Sequence, residues 1–166
     1  SKAQRIEIDA EGEAVSLPAD ALRSVPLFSA LPNKVLERLQ TGFRLERVPL
    51  GSDLLIEGSD RKTFFVIAQG QVEVLSKGVH GAHLRIALLT EGEFFGEVDL
   101  VSEKPSDITV RTITPCKLLT LSRRDLDGIL DEVPNLRDDF QRAIAEHLEL
   151  RSTVNRYGER NIDLVS

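Results

Sequence analysis

Hydrophobic and polar residues change their spacing along the chain, and these changes divide it into three parts. Up to about residue 43, apolar side chains recur mostly as they do on short helices. Residues 44–122 instead show short apolar runs with the period of strands, and the helical period returns after Ser122. The pattern therefore predicts a helix pair, a body of strands and a second helix pair.

The N-terminal part contains a candidate strand followed by two helical stretches. Residues 3–17 alternate isoleucine with charged side chains, which is the period of a strand, and the tripeptide "EGE" in their middle offers a turn. Pro26 and Pro32 separate the helical stretches, and we expect Ser29 or Asn33 to cap the second. Their apolar side chains are expected to dock on another layer: Leu22, Val25, Leu27, Phe28, Leu31, Val35, Leu36 and Leu39.

The middle part predicts a mainly antiparallel β structure. Its apolar runs are "RLERVPL", "DLLIEG", "TFFVIAQG", "QVEVLSKG", "HLRIALL", "DITVRTI" and "CKLLTLS", and glycine-rich or proline-containing breaks separate them. Closely spaced short strands with such turns favour an antiparallel sandwich or barrel. Residues 78–81, which begin and end with glycine, suit the tip of a hairpin.

The C-terminal part predicts two helices and a final strand. Ser122 is a plausible cap for the first helix, which should end before Pro134. The second is long and amphipathic, with Leu136, Phe140, Ala143, Ile144, His147, Leu148, Arg151 and Val154 on one stripe. That stripe must be covered by the strands, a ligand or another chain. The last residues, "RNIDLVS", alternate again.

Composition and charge exclude several classes of function. The 166 residues are 41% hydrophobic and 29% charged, which is ordinary for a soluble globular domain, and the net charge of −6 offers no footprint for DNA. No apolar run approaches the roughly 20 residues that span a bilayer, so we expect no membrane contact. The single cysteine, Cys116, cannot form an internal disulfide, and we interpret it as a small buried apolar residue. We therefore expect a reducing, cytoplasmic location.

Known catalytic and metal-binding motifs are missing from the sequence. There is no nucleophile elbow, no His-Glu-x-x-His motif and no glycine-rich phosphate loop with lysine, so we expect no enzyme activity. His80 and His83 flank the predicted hairpin tip without a suitably spaced third ligand, so we expect exposed loop residues and no metal. His147 is expected to be a packed or interface residue.

Three longer segments follow one another in order: "VPLFSALPNKVLERL", "GSDLLIEGSDRKTFFVIAQGQVEVL" and "LLTEGEFFGEVDLVSEKPSDITV". Together they resemble the cyclic nucleotide-binding domain, the sensor of catabolite activator proteins, protein kinase A regulatory subunits and cyclic nucleotide-gated channels. The similarity runs from about Leu27 to Leu150. The resemblance implies a mainly β fold with flanking helices. This is an antiparallel, jelly-roll-like β-roll (a double-stranded β-helix) with N-terminal helices and a C-terminal helix pair.

The third segment is similar to the phosphate-binding cassette of this family. By the resemblance, Gly96 lets the backbone approach a ligand, and Glu97 accepts a hydrogen bond from the ribose 2′-hydroxyl of cAMP or cGMP. The family's arginine, which pairs with the cyclic phosphate, aligns with Ser106, and the small residue after it aligns with Asp107. The candidate ligand-binding residues of this degenerate cassette are Phe95, Gly96, Glu97, Val98, Ser106, Asp107, Ile108 and Thr109.

The substitutions at 106 and 107 oppose ordinary cyclic nucleotide binding. Losing a charge-assisted contact and adding a carboxylate should weaken affinity by about 10²–10⁵-fold. Lys104 or Arg111 swinging in, a ligand without phosphate, or a cation at Asp107 would offset this loss. In a degenerate site, Glu97 would instead cap the short helix or pair with Arg111. Restoring Ser106→Arg with Asp107→Ala should recover affinity if the rest of the cradle survives.

Two functions from different classes follow from this resemblance. The first is a regulatory or structural interaction domain of a larger protein or assembly, with no cofactor, that contacts other domains or subunits. The second is a true sensor of a cyclic nucleotide or other small molecule, which moves its C-terminal helix. A transcription factor is a weaker class, because the sequence extends only about ten residues past the long helix.

The expected domain organisation comprises a central domain and two short extensions. Residues 21–156 form the cyclic nucleotide-binding-like domain, while residues 1–20 and 157–166 are extensions that each hold a possible strand. Ends that pair suit a domain inserted in a host, such as a second-family encapsulin shell protein, a transporter, an ion channel or an enzyme. The helix face Leu136–Val154 also offers a possible homo-oligomer contact.

Overall fold

The structure is a computed structural model that describes residues 7–8, 14–29, 31–77, 81–132 and 135–150. Its helices are α1 (Ala19–Arg23), α2 (Pro26–Ser29), α3 (Asn33–Leu39), α4 (Glu97–Val101), α5 (Arg123–Leu130) and α6 (Leu136–Leu150). Its strands are β1 (Glu7–Ile8), β2 (Ala14–Ser16), β3 (Phe43–Val48), β4 (Asp53–Leu55), β5 (Thr63–Gln69), β6 (Val72–Lys77), β7 (His83–Leu89), β8 (Phe94–Phe95), β9 (Thr109–Thr112) and β10 (Cys116–Ser122).

The strands form two antiparallel sheets, which confirms the predicted fold class. One sheet has the order β1-β2-β3-β10-β5-β8 and the other β4-β9-β6-β7. In the first sheet Leu119 of β10 lies opposite Val66 of β5, and in the second Val74 of β6 lies opposite Val110 of β9. The hairpin between β6 and β7 is as predicted, although residues 78–80 at its tip, His80 among them, lie outside the described residues.

The central strand β5 reads as a continuous apolar run because its two faces meet different cores. Phe64 and Val66 belong to a cluster shared with the helices. Phe65 and Ile67 belong to a second cluster between the sheets. Strand β10 divides its side chains between the two clusters in the same way. Burial on both faces removes the polar alternation that marks a half-exposed strand.

The N-terminal region forms three short helices where the sequence predicted two. Prolines 18 and 32 occupy the N-cap positions of α1 and α3, and neither helix has a side-chain cap. The predicted N-cap, Ser29 or Asn33, is therefore wrong: the N-cap of α3 is Pro32, whose side chain has no oxygen to accept from the first N–H groups. The predicted docking residues with described side chains are all buried: Leu22, Val25, Phe28, Leu31, Val35, Leu36 and Leu39.

The two predicted C-terminal helices are present as α5 and α6. The first positions of the α6 stripe, Leu136 and Phe140, are buried in the helix-facing core. The side chains of the later stripe positions, including His147, lie outside the described residues, as does the whole of residues 151–166. The part of the stripe that the structure describes is thus covered by the protein's own core.

Ser122 caps α5, as its sequence position predicted. Its hydroxyl accepts a hydrogen bond from the Asp125 N–H at 3.1 Å. We expect Ser122→Ala to lower the free energy of unfolding by about 1 kcal/mol, because one N–H at the helix start loses its acceptor. Urea unfolding would measure the loss, and Ser122→Asn should retain most of the stability. Equal losses in both variants would contradict a capping role.

Cys116 and the membrane prediction can be compared directly with the structure. Cys116 is buried in the core between the sheets, and burial raises the pKa of its thiol, as expected of a structural cysteine. Within the described part of the chain, no helix has the length and apolar character needed to cross a membrane. His83 is exposed at the start of β7.

Candidate functional site

The predicted cassette begins at β8, the edge strand of the first sheet. Strand β8 pairs with β5, so that Phe95 lies opposite Phe65 with the two rings stacked at 4.7 Å between centroids. Helix α4 begins directly after β8, and residues 102–108 lead from it into β9. The side chain of Ser106 lies against this helix, so the structure brings both halves of the predicted site together.

Gly96 is required where β8 turns into α4. Its φ of 85° lies in the left-handed region that side chains disfavour. A Cβ at this position would lie only 2.4 Å from the Thr63 carbonyl oxygen. The close neighbour of Gly96 in the structure is thus β5, and the approach of a ligand to this glycine, which the resemblance implies, stays a prediction.

The first turn of α4 carries two buried carboxylates. Glu97 is 6% exposed and Asp99 8% exposed, while Val98 between them points to solvent. Leu100 anchors the helix in the core that the helices share with the first sheet. Buried carboxylates are rare without partners, because removing an ionised carboxylate from water costs free energy that hydrogen bonds or cations must offset.

Ser106 turns inward and is only 4% exposed. Its hydroxyl lies 3.0 Å from the Ile108 carbonyl oxygen and 3.4 Å from Asp99 Oδ2. The Ser106 N–H donates to the Ser59 carbonyl oxygen at 2.9 Å, and its own carbonyl oxygen accepts from the Gly58 N–H at 2.8 Å. The position of the family's arginine is therefore held by a short side chain that bonds within the protein.

The other predicted residues of the second half differ in exposure. Asp107 is exposed, whereas Ile108 and Thr109 are buried. The Thr109 hydroxyl oxygen accepts from the Glu57 N–H at 3.0 Å, which ties β9 to the loop after β4. Ile108 belongs to the core between the sheets. These two residues hold the end of the cassette in place.

Asp99 is a buried acid that the sequence analysis did not single out. Its pKa is raised from 3.8 to about 6, first by burial and then by the charge of Asp107, with a smaller contribution from Glu97. Lys62 and the hydrogen bond from Ser106 act in the opposite direction. An acidic residue inside the apolar run "EVDLV" was the available signal in the sequence.

Two of the cations near the cassette, Lys62 and Arg111, are bonded to other groups. Lys62, whose side chain is 12% exposed, donates from Nζ to the Lys104 carbonyl oxygen at 2.6 Å and lies 3.1 Å from Asp60. The Arg111 guanidinium donates to Asp53 at 2.7 Å, which raises the pKa of Arg111. The side chain of Lys104 is exposed. In this structure the Arg111 guanidinium is thus bonded to Asp53 and does not take the place of the family's arginine.

Arg123 links the cassette to the C-terminal helices. Its Nε donates to the Leu100 carbonyl oxygen at 2.9 Å and its Nη2 to the Ser102 carbonyl oxygen at 2.5 Å. These acceptors lie at the C-terminal end of α4, where a cation is favourable. Because Arg123 is the first residue of α5, the two helices are joined by one side chain. The sequence indicated only that a helix begins there.

A surface cavity of about 330 Å³ adjoins the cassette at Thr109. Its lining residues are Asp53, Ile56, Glu57, Gly58, His83, Thr109 and Arg111. Among the residues that the structure describes, no group of three or more His, Cys, Asp or Glu side chains could hold a metal ion.

Comparison with known proteins identifies the family. A family model described as "Cyclic nucleotide-binding domain" matches residues 45–133, more than half of the chain. The chain belongs to the cyclic nucleotide-binding domain family. The match covers strands β4 to β10, the cassette and α5, and it confirms the resemblance found in the sequence.

In two individual relatives the similar region is one part of a longer protein. A cAMP-dependent protein kinase regulatory subunit from Yarrowia lipolytica is 28% identical over 130 residues, covering 78% of this chain and 34% of that protein. The human potassium/sodium hyperpolarization-activated cyclic nucleotide-gated channel 4 is 32% identical over 139 residues, covering 83% of this chain and 11% of that protein. The chain thus spans about a third and about a tenth of these relatives' lengths.

A solved structure supports the same fold. The N-terminal domain of a transcriptional regulator from Streptomyces coelicolor A3(2) is 27% identical to the chain and superposes with a TM-score of 0.66. The similarity covers 82% of this chain and 95% of that domain. The β-roll with flanking helices is therefore shared with a bacterial domain of nearly the same extent.

Proposed function

We propose that the chain is a non-catalytic regulatory or interaction domain of a larger protein or assembly that does not bind cAMP or cGMP with ordinary affinity. The observation that carries this proposal is the state of position 106. Its side chain is a buried hydroxyl directed to Ile108 and Asp99, so it presents no positive charge to a phosphate. A phosphate placed here lacks the charge-assisted pair that dominates such recognition.

The electrostatics of the cassette support the same conclusion. The carboxylates of Glu97 and Asp107 both act on that of Asp99, so the acids of the cassette lie close together. The nearby ammonium group of Lys62 donates to the backbone carbonyl oxygen of Lys104 and pairs with the carboxylate of Asp60. A cyclic phosphate would enter a region of like charge, and each close unit charge costs about 1–4 kcal/mol depending on the local dielectric.

Titration calorimetry with cAMP and with cGMP tests this function. We expect no measurable heat of binding at micromolar protein, because the combined losses weaken affinity by about 10²–10⁵-fold. The catabolite activator type of domain, which retains the arginine, serves as the positive control. Saturable binding of either nucleotide in the micromolar range would overturn the proposal.

A sensor of a ligand without phosphate is a second candidate function. Gly96 keeps its left-handed conformation, and Glu97 remains buried at the start of α4, so the half of the cassette that meets the ribose in the family is present. Such a ligand would act on α6 through α4, Arg123 and α5. Adenosine and guanosine in the same calorimeter test this candidate, and binding that Glu97→Gln abolishes would favour it over the first.

The host protein and the partners remain predictions. The relatives carry the domain in a kinase regulatory subunit and in a channel, which supports contacts with other domains or subunits. We retain the second-family encapsulin shell protein, a transporter, an ion channel and an enzyme as predicted hosts, with residues 21–156 as the domain. The flanking coding sequence would identify the host, and sedimentation analysis would test self-association through Leu136–Val154.

A further inference from the structure

We propose that Asp99 is a specificity-determining residue of the cassette, because its carboxylate would capture an arginine at position 106 before that arginine reached a cyclic phosphate. The inference rests on the proposed function, in which the cassette does not bind cyclic nucleotides. The loss of the family's arginine then explains only part of the absence of cyclic nucleotide binding, and Asp99 explains the rest. Position 99 would then have to change together with positions 106 and 107 to restore full recognition.

The geometry of the two side chains carries this inference. Ser106 Oγ lies 3.4 Å from Asp99 Oδ2, and both residues are buried. In an arginine at position 106, Cγ would take the place of Ser106 Oγ, 3.4 Å from the carboxylate, and the guanidinium three bonds further on would reach Asp99 by folding back onto it. Because a guanidinium presents five N–H donors that fit a carboxylate in pairs, an ion pair with Asp99 would form there.

The electrical surroundings make Asp99 a strong competitor for that cation. Burial and the charges of Asp107 and Glu97 raise the pKa of Asp99, which shows that its charged form lacks adequate compensation. Lys62 supplies part of that compensation, but its ammonium is bonded to the Lys104 carbonyl oxygen and to Asp60. An arginine would supply the rest.

Entropy also favours Asp99 over a cyclic phosphate as the partner of an arginine at position 106. Asp99 is already held in α4 beside position 106, so pairing with it costs no translational or rotational freedom. A cyclic nucleotide must lose that freedom on binding. An arginine at 106 would therefore stay with Asp99 at ligand concentrations at which it would otherwise hold the phosphate.

Four proteins test the inference by calorimetric titration with cAMP. They are the unmodified chain, the Ser106→Arg/Asp107→Ala double variant, the Asp99→Ala/Ser106→Arg/Asp107→Ala triple variant, and the Asp99→Ala/Asp107→Ala control that lacks the arginine. We expect the triple variant to bind about 10- to 100-fold more tightly than the double variant, the range of one charge-assisted contact to phosphate. The control should show no binding.

The outcomes separate the two proposals. Micromolar binding by the unmodified chain would overturn the proposed function. Equal binding by the double and triple variants, or no binding by a folded triple variant, would overturn the role of Asp99 while leaving the proposed function in place. Thermal unfolding establishes that each variant is folded, and Ser106→Lys replaces Ser106→Arg in both variants if the double variant does not fold.

A second readout does not depend on ligand binding. NMR titration of the side-chain carboxyl carbons would give the pKa of Asp99 in the unmodified chain and in the double variant. We expect the pKa to fall markedly in the double variant, because the new guanidinium stabilises the carboxylate. Since Asp107→Ala alone also lowers this pKa by removing a negative charge, that single variant is the control. An equal pKa in the double variant and this control would contradict the ion pair.

Discussion

Replacing Gly96 with alanine is expected to lower the free energy of unfolding by about 3 kcal/mol. About 1–2 kcal/mol arises from placing a side chain at a φ of 85°. The rest arises from the new methyl group, which would lie 2.4 Å from the Thr63 carbonyl oxygen and force β8 away from β5. Urea unfolding measured by circular dichroism would give the change.

Gly51 offers a matched control for this prediction. Its φ of 84° is nearly the same as that of Gly96, but a Cβ there would have no heavy atom within 4 Å. Gly51→Ala should therefore show only the conformational cost, about 1–2 kcal/mol. Equal losses in the two variants would show that the approach of Gly96 to β5 contributes nothing to stability.

The fold and the position of the cassette could be predicted from the sequence. The order of the three family segments, with their glycines in place, was sufficient for the antiparallel β-roll and for the position of the cassette. Local signals also predicted the Ser122 cap, because a cap depends on residues that are adjacent in sequence. The features that belong to the whole family were thus predictable, whereas local signals predicted the cap at Ser122 and missed the one at Pro32.

Most of the remaining features depend on contacts between residues that are distant in sequence. Arg123 reaches the end of α4 across 23 positions, and no local pattern distinguishes it from a solvated residue at a helix start. The predicted cap by Ser29 or Asn33 failed because Pro32 takes the N-cap position. The burial of Asp99 and the inward direction of Ser106 follow from the packing of residues 102–108 against α4.

Asp99→Asn is expected to stabilise the protein above pH 6 and to have little effect in acid. Folding raises the pKa of Asp99 from 3.8 to about 6, so in that window the folded protein holds a proton that the unfolded chain has released. Its contribution to stability therefore falls as the pH rises through the window and stays low above it. Asparagine does not ionise, and its amide can still bond to Ser106, so the variant avoids this fall.

The expected gain is about 1–3 kcal/mol at about pH 8, since each tenfold change in proton affinity corresponds to about 1.4 kcal/mol and solvent access reduces the full value. Urea unfolding at several pH values would show the difference between variant and parent rising from near zero at about pH 4. Glu91→Gln, at an exposed turn, should give a flat difference. A flat difference for Asp99→Asn as well would contradict the raised pKa.

Asp107→Asn separates the causes of that raised pKa. The charge of Asp107 is the second contribution after burial, so its removal should lower the pKa of Asp99 and make the fall in stability smaller. The fall should nevertheless persist, because Asp99 remains buried under the loop that carries Ser106. If Asp107→Asn removed the fall completely, the repulsion between these two carboxylates, and not desolvation, would be what opposes the charge of Asp99.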